Sequence, residues 1–122
     1  MNRRVIAAVS DMIFASKIRG TAEALNVTVN FARSEDALFD AAKADAPSLF
    51  ILDLHGARPD PFAVAARLKA DERLRDVPIV AFFSHVETEL QRRAVETGID
   101  HVLPRSAFTV RLPEILSGEA KL

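Results

Sequence analysis

One aspartate directly follows an apolar run in the middle of the chain. The run reads Phe50-Ile51-Leu52, and Asp53 comes next. Because an ionised carboxylate is costly to bury, an aspartate just past a buried strand usually lies at the mouth of a sheet, where ligands, metals and reacting groups are found. Asp53 is therefore the first candidate for chemistry in this sequence.

Three further polar segments come after apolar runs in the same manner. They are Ser10-Asp11, Ser84-His85 and Pro104-Arg105-Ser106, while Leu54-His55 extends the segment that begins at Asp53. The carboxyl ends of parallel strands meet at one edge of a sheet. We therefore expect these polar groups to converge on a single site.

Apolar runs of strand length alternate with segments of helical periodicity along the whole chain. The predicted strands are Val5 to Val9, Val27 to Ala32, Leu49 to Leu52, Ile79 to Phe83 and His101 to Leu103. Three of them are nearly continuous in apolar residues, whereas the second and fifth have the character of edge strands. The pattern predicts an α/β fold of the (βα)5 type, a parallel sheet with helices on both faces.

Local signals predict where several helices begin and end. Ser34 and Asp60 precede the second and third helices, and a Ser-x-x-Glu capping box at Ser84 precedes the fourth. Gly98 is expected to end the fourth helix. Pro113 falls within the apolar pattern of the last helix, which predicts a late start or an irregular first turn there.

Size and composition restrict the possible classes of protein. A chain of 122 residues with 49% hydrophobic residues and a net charge of -1 is expected to form one domain without affinity for nucleic acid or an acidic membrane. Cysteine is absent, which fits a cytoplasmic protein. No apolar stretch approaches the roughly twenty residues that cross a bilayer, and the first apolar run is too short for a signal peptide.

Other kinds of site have weaker support. The three histidines at positions 55, 85 and 101 suggest a metal site, but loop histidines more often face solvent. Arg92-Arg93 has acidic neighbours, which favours a mixed charged surface over a nucleic-acid interface. No glycine-rich phosphate loop follows the first strand, which argues against a flavodoxin-like cofactor site, and no nucleophile-base pair indicates a small hydrolase.

Three tracts together resemble a known family. They are Leu52-Asp53-Leu54 with the loop to Phe62, Val77-Pro78-Ile79-Val80-Ala81-Phe82-Phe83, and Gly98 to Ser106. With the element order, they resemble response-regulator receiver domains of the CheY-like class over about residues 4 to 116. The resemblance implies a flavodoxin-like sheet in the order 2-1-3-4-5 and a single domain over residues 1–122, with a short C-terminal tail.

The resemblance also implies a role for each polar position. Asp53 is the expected phosphoacceptor. Asp11 is the one retained member of an acidic pair, and with Asp53 and the backbone carbonyl of His55 it is expected to hold Mg2+. Arg105 stands where the family has a lysine, and its planar guanidinium does not replace a compact ammonium.

The family's switch positions are altered as well. Phe83 occupies the position of the strand-four hydroxyl residue, and Val102 occupies that of the strand-five aromatic. Ser84 is the nearest hydroxyl, and it reaches the phosphoryl group only if a bulge shifts the register by one residue. Together with Arg105, Ser84 is a candidate phosphoryl contact.

These substitutions predict an atypical receiver rather than an enzyme. A carboxylate attacks a phosphoryl group only when charge on its oxygens is neutralised, so we expect weak Mg2+ binding and impaired phosphorylation at Asp53. The expected action is contact in trans with signalling proteins, a histidine kinase or a downstream effector, or dimerisation through the face of the fourth helix, fifth strand and fifth helix. The alternative is a fully functional Mg2+-dependent phosphoacceptor.

Overall fold

The computed structural model describes residues 3–56, 59–84 and 87–119. In this part of the chain, strands and helices alternate strictly. They are β1 (Arg4–Ala8), α1 (Met12–Ala24), β2 (Thr28–Phe31), α2 (Glu35–Ala44), β3 (Leu49–Asp53), α3 (Pro61–Ala70), β4 (Ile79–Phe83), α4 (Thr88–Glu96), β5 (His101–Pro104) and α5 (Arg105–Ser117). The predicted (βα)5 order is confirmed.

The strands form one parallel sheet in the order β2-β1-β3-β4-β5. This order is the expected one, and it places β2 and β5 at the two edges. Residues of β1, β3 and β4 are buried on both faces of the sheet, as their continuous apolar sequences predict. The carboxyl ends of these central strands therefore lie side by side.

Two hydrophobic cores lie on opposite faces of the sheet. One contains Phe14 and Ile18 of α1 with Phe108 and Leu112 of α5. The other collects the buried residues of α2, α3 and α4, among them Leu38 and Leu68. Burial of alternate strand residues on the two faces fixes the register, since a slip by one residue would exchange the faces.

Helix starts agree with the capping signals at Ser34 and Asp60, whose side chains accept hydrogen bonds from the first turns of α2 and α3. The capping box at Ser84 was a wrong prediction. Helix α4 begins at Thr88, and its cap position is Glu87, four residues after the end of β4 at Phe83. Gly98 adopts φ +87°, a left-handed conformation that suits glycine, and follows the end of α4 as expected.

The prediction for the last helix was also wrong. Helix α5 begins at Arg105, directly after β5, and continues through Pro113 to Ser117. A proline inside a helix costs about 3 kcal/mol because it removes a hydrogen bond and crowds the preceding turn. Four apolar side chains of α5, including Phe108 and Leu112, are fully buried, and their burial offsets that cost.

No helix within the described ranges is long and apolar enough to span a membrane.

Candidate functional site

Asp53 is the last residue of β3 and lies at the expected edge of the sheet. Its side chain is only 8% exposed, and it is the one buried charged residue within the described part of the chain. The Oδ1 atom accepts a hydrogen bond of 2.9 Å from the backbone N–H of His55. Directly opposite in the register lies Phe82 of β4. The structure thus holds this carboxylate in place with a backbone donor and a close-packed neighbour.

Asp11 caps the first helix. Its Oδ1 atom accepts hydrogen bonds from the backbone N–H groups of Ile13 at 2.9 Å and Phe14 at 3.0 Å. An aspartate before a helical segment is a preferred cap, because it satisfies donors that have no partner within the helix. One oxygen of the candidate metal ligand is therefore already engaged by the start of α1.

Arg105 engages the other oxygen of the same carboxylate. Its guanidinium NH2 group lies 2.8 Å from Asp11 Oδ2, and each side chain of the pair is 37% exposed. The backbone N–H of Phe14 and the Arg105 guanidinium hold the pKa of Asp11 below its usual range. The ion pair joins the loop after β1 to the start of α5, so the Arg105 guanidinium is bound to Asp11.

Three phenylalanines pack together beside the ion pair of Arg105 and Asp11. The rings of Phe14, Phe82 and Phe108 have centroids 4.6 to 5.6 Å apart and meet at tilted angles, a favourable geometry for aromatic pairs. The Arg105 guanidinium lies over the Phe14 ring, 4.4 Å from its centroid. Arg105 is therefore fixed both by a carboxylate and by an aromatic face.

Ser10 approaches the loop after Asp53 closely. A Cβ atom added to Gly56 would lie 3.1 Å from the Asp53 carbonyl oxygen and 3.2 Å from the Ser10 Oγ atom. Both separations are tighter than ordinary contacts, so the loop passes where glycine allows it. The Ser10 hydroxyl consequently lies beside the candidate site, at a position where the resemblance implies a second acid.

Phe83, the last residue of β4, and Ser84, which follows it, have different surroundings. Phe83 is 6% exposed and belongs to the core beneath α2, α3 and α4. Ser84 is exposed, and no hydrogen bond joins its hydroxyl to Asp53 among the described residues. The register shift that would bring Ser84 to the site is absent within the paired residues, which run without interruption from Phe50 opposite Ile79 to Asp53 opposite Phe82.

The donor set for a metal ion consists of oxygens. Within the described ranges, no three histidine, aspartate or glutamate side chains come close enough to bind a metal together. His85 lies outside these ranges, His55 is exposed on the loop after β3, and His101 is on the edge strand β5. Asp11, Asp53 and the His55 carbonyl are hard oxygen ligands that suit Mg2+. Arg105 competes with such a cation for Asp11.

The paired arginines of α4 have acidic or aromatic partners. Arg92 forms ion pairs with Glu89 and Glu96. The Arg93 guanidinium lies 4.1 Å from the centroid of the Phe62 ring. Both arginines therefore contribute to a mixed charged surface, as the sequence indicates.

The sequence pattern places Asp11, Asp53 and Arg105 at the carboxyl ends of the strands, where the structure has them, but it does not predict the contact between two of them. It found Asp11, Asp53 and Arg105 as separate candidates and assigned the arginine to a phosphoryl group. It did not predict that Arg105 binds Asp11. The available signal was the position of Asp11 before an amphipathic helix, which identifies a cap residue and hence a carboxylate with fixed orientation.

Comparisons with known proteins agree on the fold. No family model matches the sequence, and no curated protein matches it. The structure is similar to the chemotaxis response regulator CheY4 of Vibrio cholerae, with a TM-score of 0.82 and 13% identity over 98% of this chain and 100% of that chain. It is also similar to the phosphorylated cyanobacterial phytochrome response regulator RcpA, with a TM-score of 0.79 and 18% identity over 97% of this chain and 91% of that chain.

A third similar structure is the Mn2+-bound form of the response regulator Rcp1, with a TM-score of 0.79 and 14% identity over 94% of this chain and 92% of that chain. These proteins share the class of fold that the sheet order defines, the doubly wound (βα)5 sheet. The chain has the CheY-like fold of response-regulator receiver domains. At identities this low, the likeness concerns the fold.

Proposed function

We propose that this chain is an atypical response-regulator receiver domain of bacterial two-component signalling, which acts by binding other proteins. Support comes from the receiver fold and from the position of Asp53 at the carboxyl end of β3. In this proposal Asp53 is the phosphoacceptor position, and its phosphorylation is possible but slow. The protein works in the cytoplasm, as a partner in a phosphorelay and not as an enzyme.

The contact between Arg105 and Asp11 is the observation that carries the atypical part of the proposal. Phosphoryl transfer to a carboxylate needs positive charge at the reacting oxygens. The nearby guanidinium instead lies 2.8 Å from Asp11 Oδ2 and is stacked on Phe14. In this proposal a phosphoryl group at Asp53 must compete with Asp11 for the Arg105 guanidinium, and that competition slows the reaction.

We propose that Asp11, Asp53 and the His55 backbone carbonyl hold Mg2+ weakly. When bound, Mg2+ neutralises charge on the transferring phosphoryl oxygens. Three interactions already occupy the Asp11 carboxylate, two from backbone N–H groups and one from Arg105. A metal ion at this site must compete with the last of them. The uninterrupted register of β3 and β4 leaves Ser84 out of this proposal, which keeps Arg105 as the phosphoryl contact.

The partner surface in this proposal is the face of α4, β5 and α5. A hollow of about 500 Å3 lies between α4 and β5, lined by residues that include Phe83, Val95 and Val102. Val95 is 70% exposed beside it. A histidine kinase, a downstream effector or a second copy of the chain would bury these apolar side chains, as protein interfaces do. Sedimentation velocity over a range of concentrations, with Val95→Asp as the disruptive variant, tests the dimer.

One experiment tests the phosphoacceptor role. The protein is incubated with Mg2+ and acetyl phosphate, and its mass is followed for a labile adduct of about 80 Da, the mass of an added phosphoryl group. We expect a partial adduct that Asp53→Asn abolishes and that Asp40→Asn, at an exposed aspartate of α2, leaves unchanged.

Three results would contradict the proposal. An adduct that persists in Asp53→Asn would place the reaction elsewhere. A rapid, stoichiometric adduct on Asp53 in the unmodified protein would favour the alternative, a fully functional Mg2+-dependent receiver. No adduct at any Mg2+ concentration would leave Asp53 without a phosphoacceptor role.

A further inference from the structure

A groove lies between α1 and the edge strand β2, on the far side of Ser10 from Asp53. Its volume is about 280 Å3. The lining residues that carry the argument are Ser10, Met12, Ser16, Arg19, Phe31 and Arg33. Such a volume is at the lower limit of cavities that bind small molecules.

The groove carries positive charge without a matching negative charge. Arg19 and Arg33 both line it, and its lining contains no acidic residue. None of the ion pairs found within residues 3–56, 59–84 and 87–119 involves either arginine. Glu23, the acidic residue of α1, lies one turn beyond Arg19 and outside the lining. An anion entering the groove would therefore meet two guanidinium groups.

The arginines are accompanied by hydroxyl groups and by apolar surface. The Arg19 guanidinium lies 4.9 Å from the centroid of the Phe31 ring, which restricts its position. Ser10 and Ser16 are exposed and can donate hydrogen bonds. Met12 is 72% exposed and offers a flexible apolar side chain. The groove thus combines anion recognition with a place for a small carbon skeleton.

We propose that this groove binds a small phosphate monoester. The guanidinium groups of Arg19 and Arg33 hold the phosphate, because arginine forms paired, charge-assisted hydrogen bonds with phosphate oxygens. Ser16 donates a further hydrogen bond, and the organic part of the ligand packs against Met12 and Phe31. The groove shares the loop after β1 with the candidate phosphoacceptor site and extends from there to β2, whereas that site extends to the loops after β3 and β5. It therefore adds a ligand to the proposed function.

The test is an NMR titration of the protein with inorganic phosphate and, separately, with phenyl phosphate. We expect saturable amide shifts at residues 16, 19 and 33, with Kd values on the order of millimolar for inorganic phosphate. Phenyl phosphate should bind about tenfold more tightly, since its ring buries apolar surface. Arg33→Gln and Arg19→Gln should each weaken binding about tenfold or more.

Arg73→Gln is the matched control, because Arg73 is an exposed arginine before β4, at the amino ends of the strands, whereas the groove lies at their carboxyl ends. It should leave both affinities unchanged. Absence of saturable shifts with either probe would overturn the proposal, as would binding that Arg33→Gln does not weaken. Equal affinity for the two probes would overturn the assigned ligand class. Asp53→Asn should retain binding in the groove, so this test and that of the phosphoacceptor can fail independently.

Discussion

Replacement of Arg105 by glutamine should release Asp11 and strengthen Mg2+ binding. In the structure, the Arg105 guanidinium lies 2.8 Å from Oδ2 of Asp11, one of the carboxylates that would hold the metal ion in the proposed function. Removal of one positive charge from a half-exposed pair changes cation affinity by about tenfold at low ionic strength. Salt screens such interactions, so the gain should shrink as the ionic strength rises.

The measurement is a Mg2+ titration followed by amide NMR shifts at residues 13, 55 and 56, which surround the two carboxylates. Arg73→Gln serves as the control, because it removes the same charge far from the site. The amide of His55 reports directly, since it donates to Asp53 Oδ1. If Arg105→Gln binds Mg2+ no more tightly than the unmodified protein, Asp11 is not the group that Arg105 withholds, and the reasoning is refuted.

Three further predictions concern stability and ionisation. Gly56→Ala should lower the free energy of unfolding by about 1 kcal/mol, because its Cβ atom would press on a backbone carbonyl. Gly20→Ala in α1, where the Cβ atom meets nothing within 4 Å, should instead raise the free energy of unfolding by about 0.5 to 1 kcal/mol. Urea unfolding of the two variants tests both values. Phe82→Ala should cost about 3 to 5 kcal/mol in the same assay, since the ring is 1% exposed among other aromatic rings, and a loss below 1 kcal/mol would contradict that packing. Folding lowers the pKa of Asp11, so this carboxylate stabilises the protein fully above the pKa of an unfolded aspartate, and the stabilisation is lost as the pH falls through the pKa of the folded state. Carboxyl-carbon NMR should show a pKa for Asp11 below that of a typical aspartate. In Arg105→Gln the pKa of Asp11 should rise toward the typical value.

The fold could be predicted almost entirely from local patterns. Continuous apolar runs identified the central strands, and shorter, more polar runs identified β2 and β5 as edges. These patterns succeed because burial on both faces of a parallel sheet demands them. Two helix boundaries were predicted wrongly: α4 begins at Thr88 without a side-chain cap from Ser84, and α5 continues through Pro113 because its apolar side chains are buried.

The candidate site was predictable as a set of positions but not as a set of contacts. Sheet topology brings Asp11, Asp53 and Arg105 to one edge, and that follows from the order of the elements. The partner of Arg105 depends on the path of α5, which begins immediately after β5 and directs the side chain across Phe14. The sequence pattern around Pro113 predicted a later start, so this contact could not be anticipated.

The groove between α1 and β2 could not be predicted from the sequence either. Arg19 and Arg33 are separated by a turn and a strand in the sequence, and neither belongs to a motif. Their shared cavity arises because α1 packs against the edge strand.

The rate of adduct formation on Asp53 tests the central claim most directly. Acetyl phosphate and Mg2+ are added to the unmodified protein and to Arg105→Lys, and the adduct of about 80 Da is followed by mass spectrometry. A lysine ammonium is compact and carries the same charge, so it can meet a phosphoryl group that the planar guanidinium, stacked on Phe14 and bound to Asp11, does not reach. We predict an adduct that forms about tenfold faster in Arg105→Lys and disappears in both proteins when Asp53 is replaced by asparagine. Equal rates in the two proteins would contradict the proposal that Arg105 slows phosphorylation at Asp53.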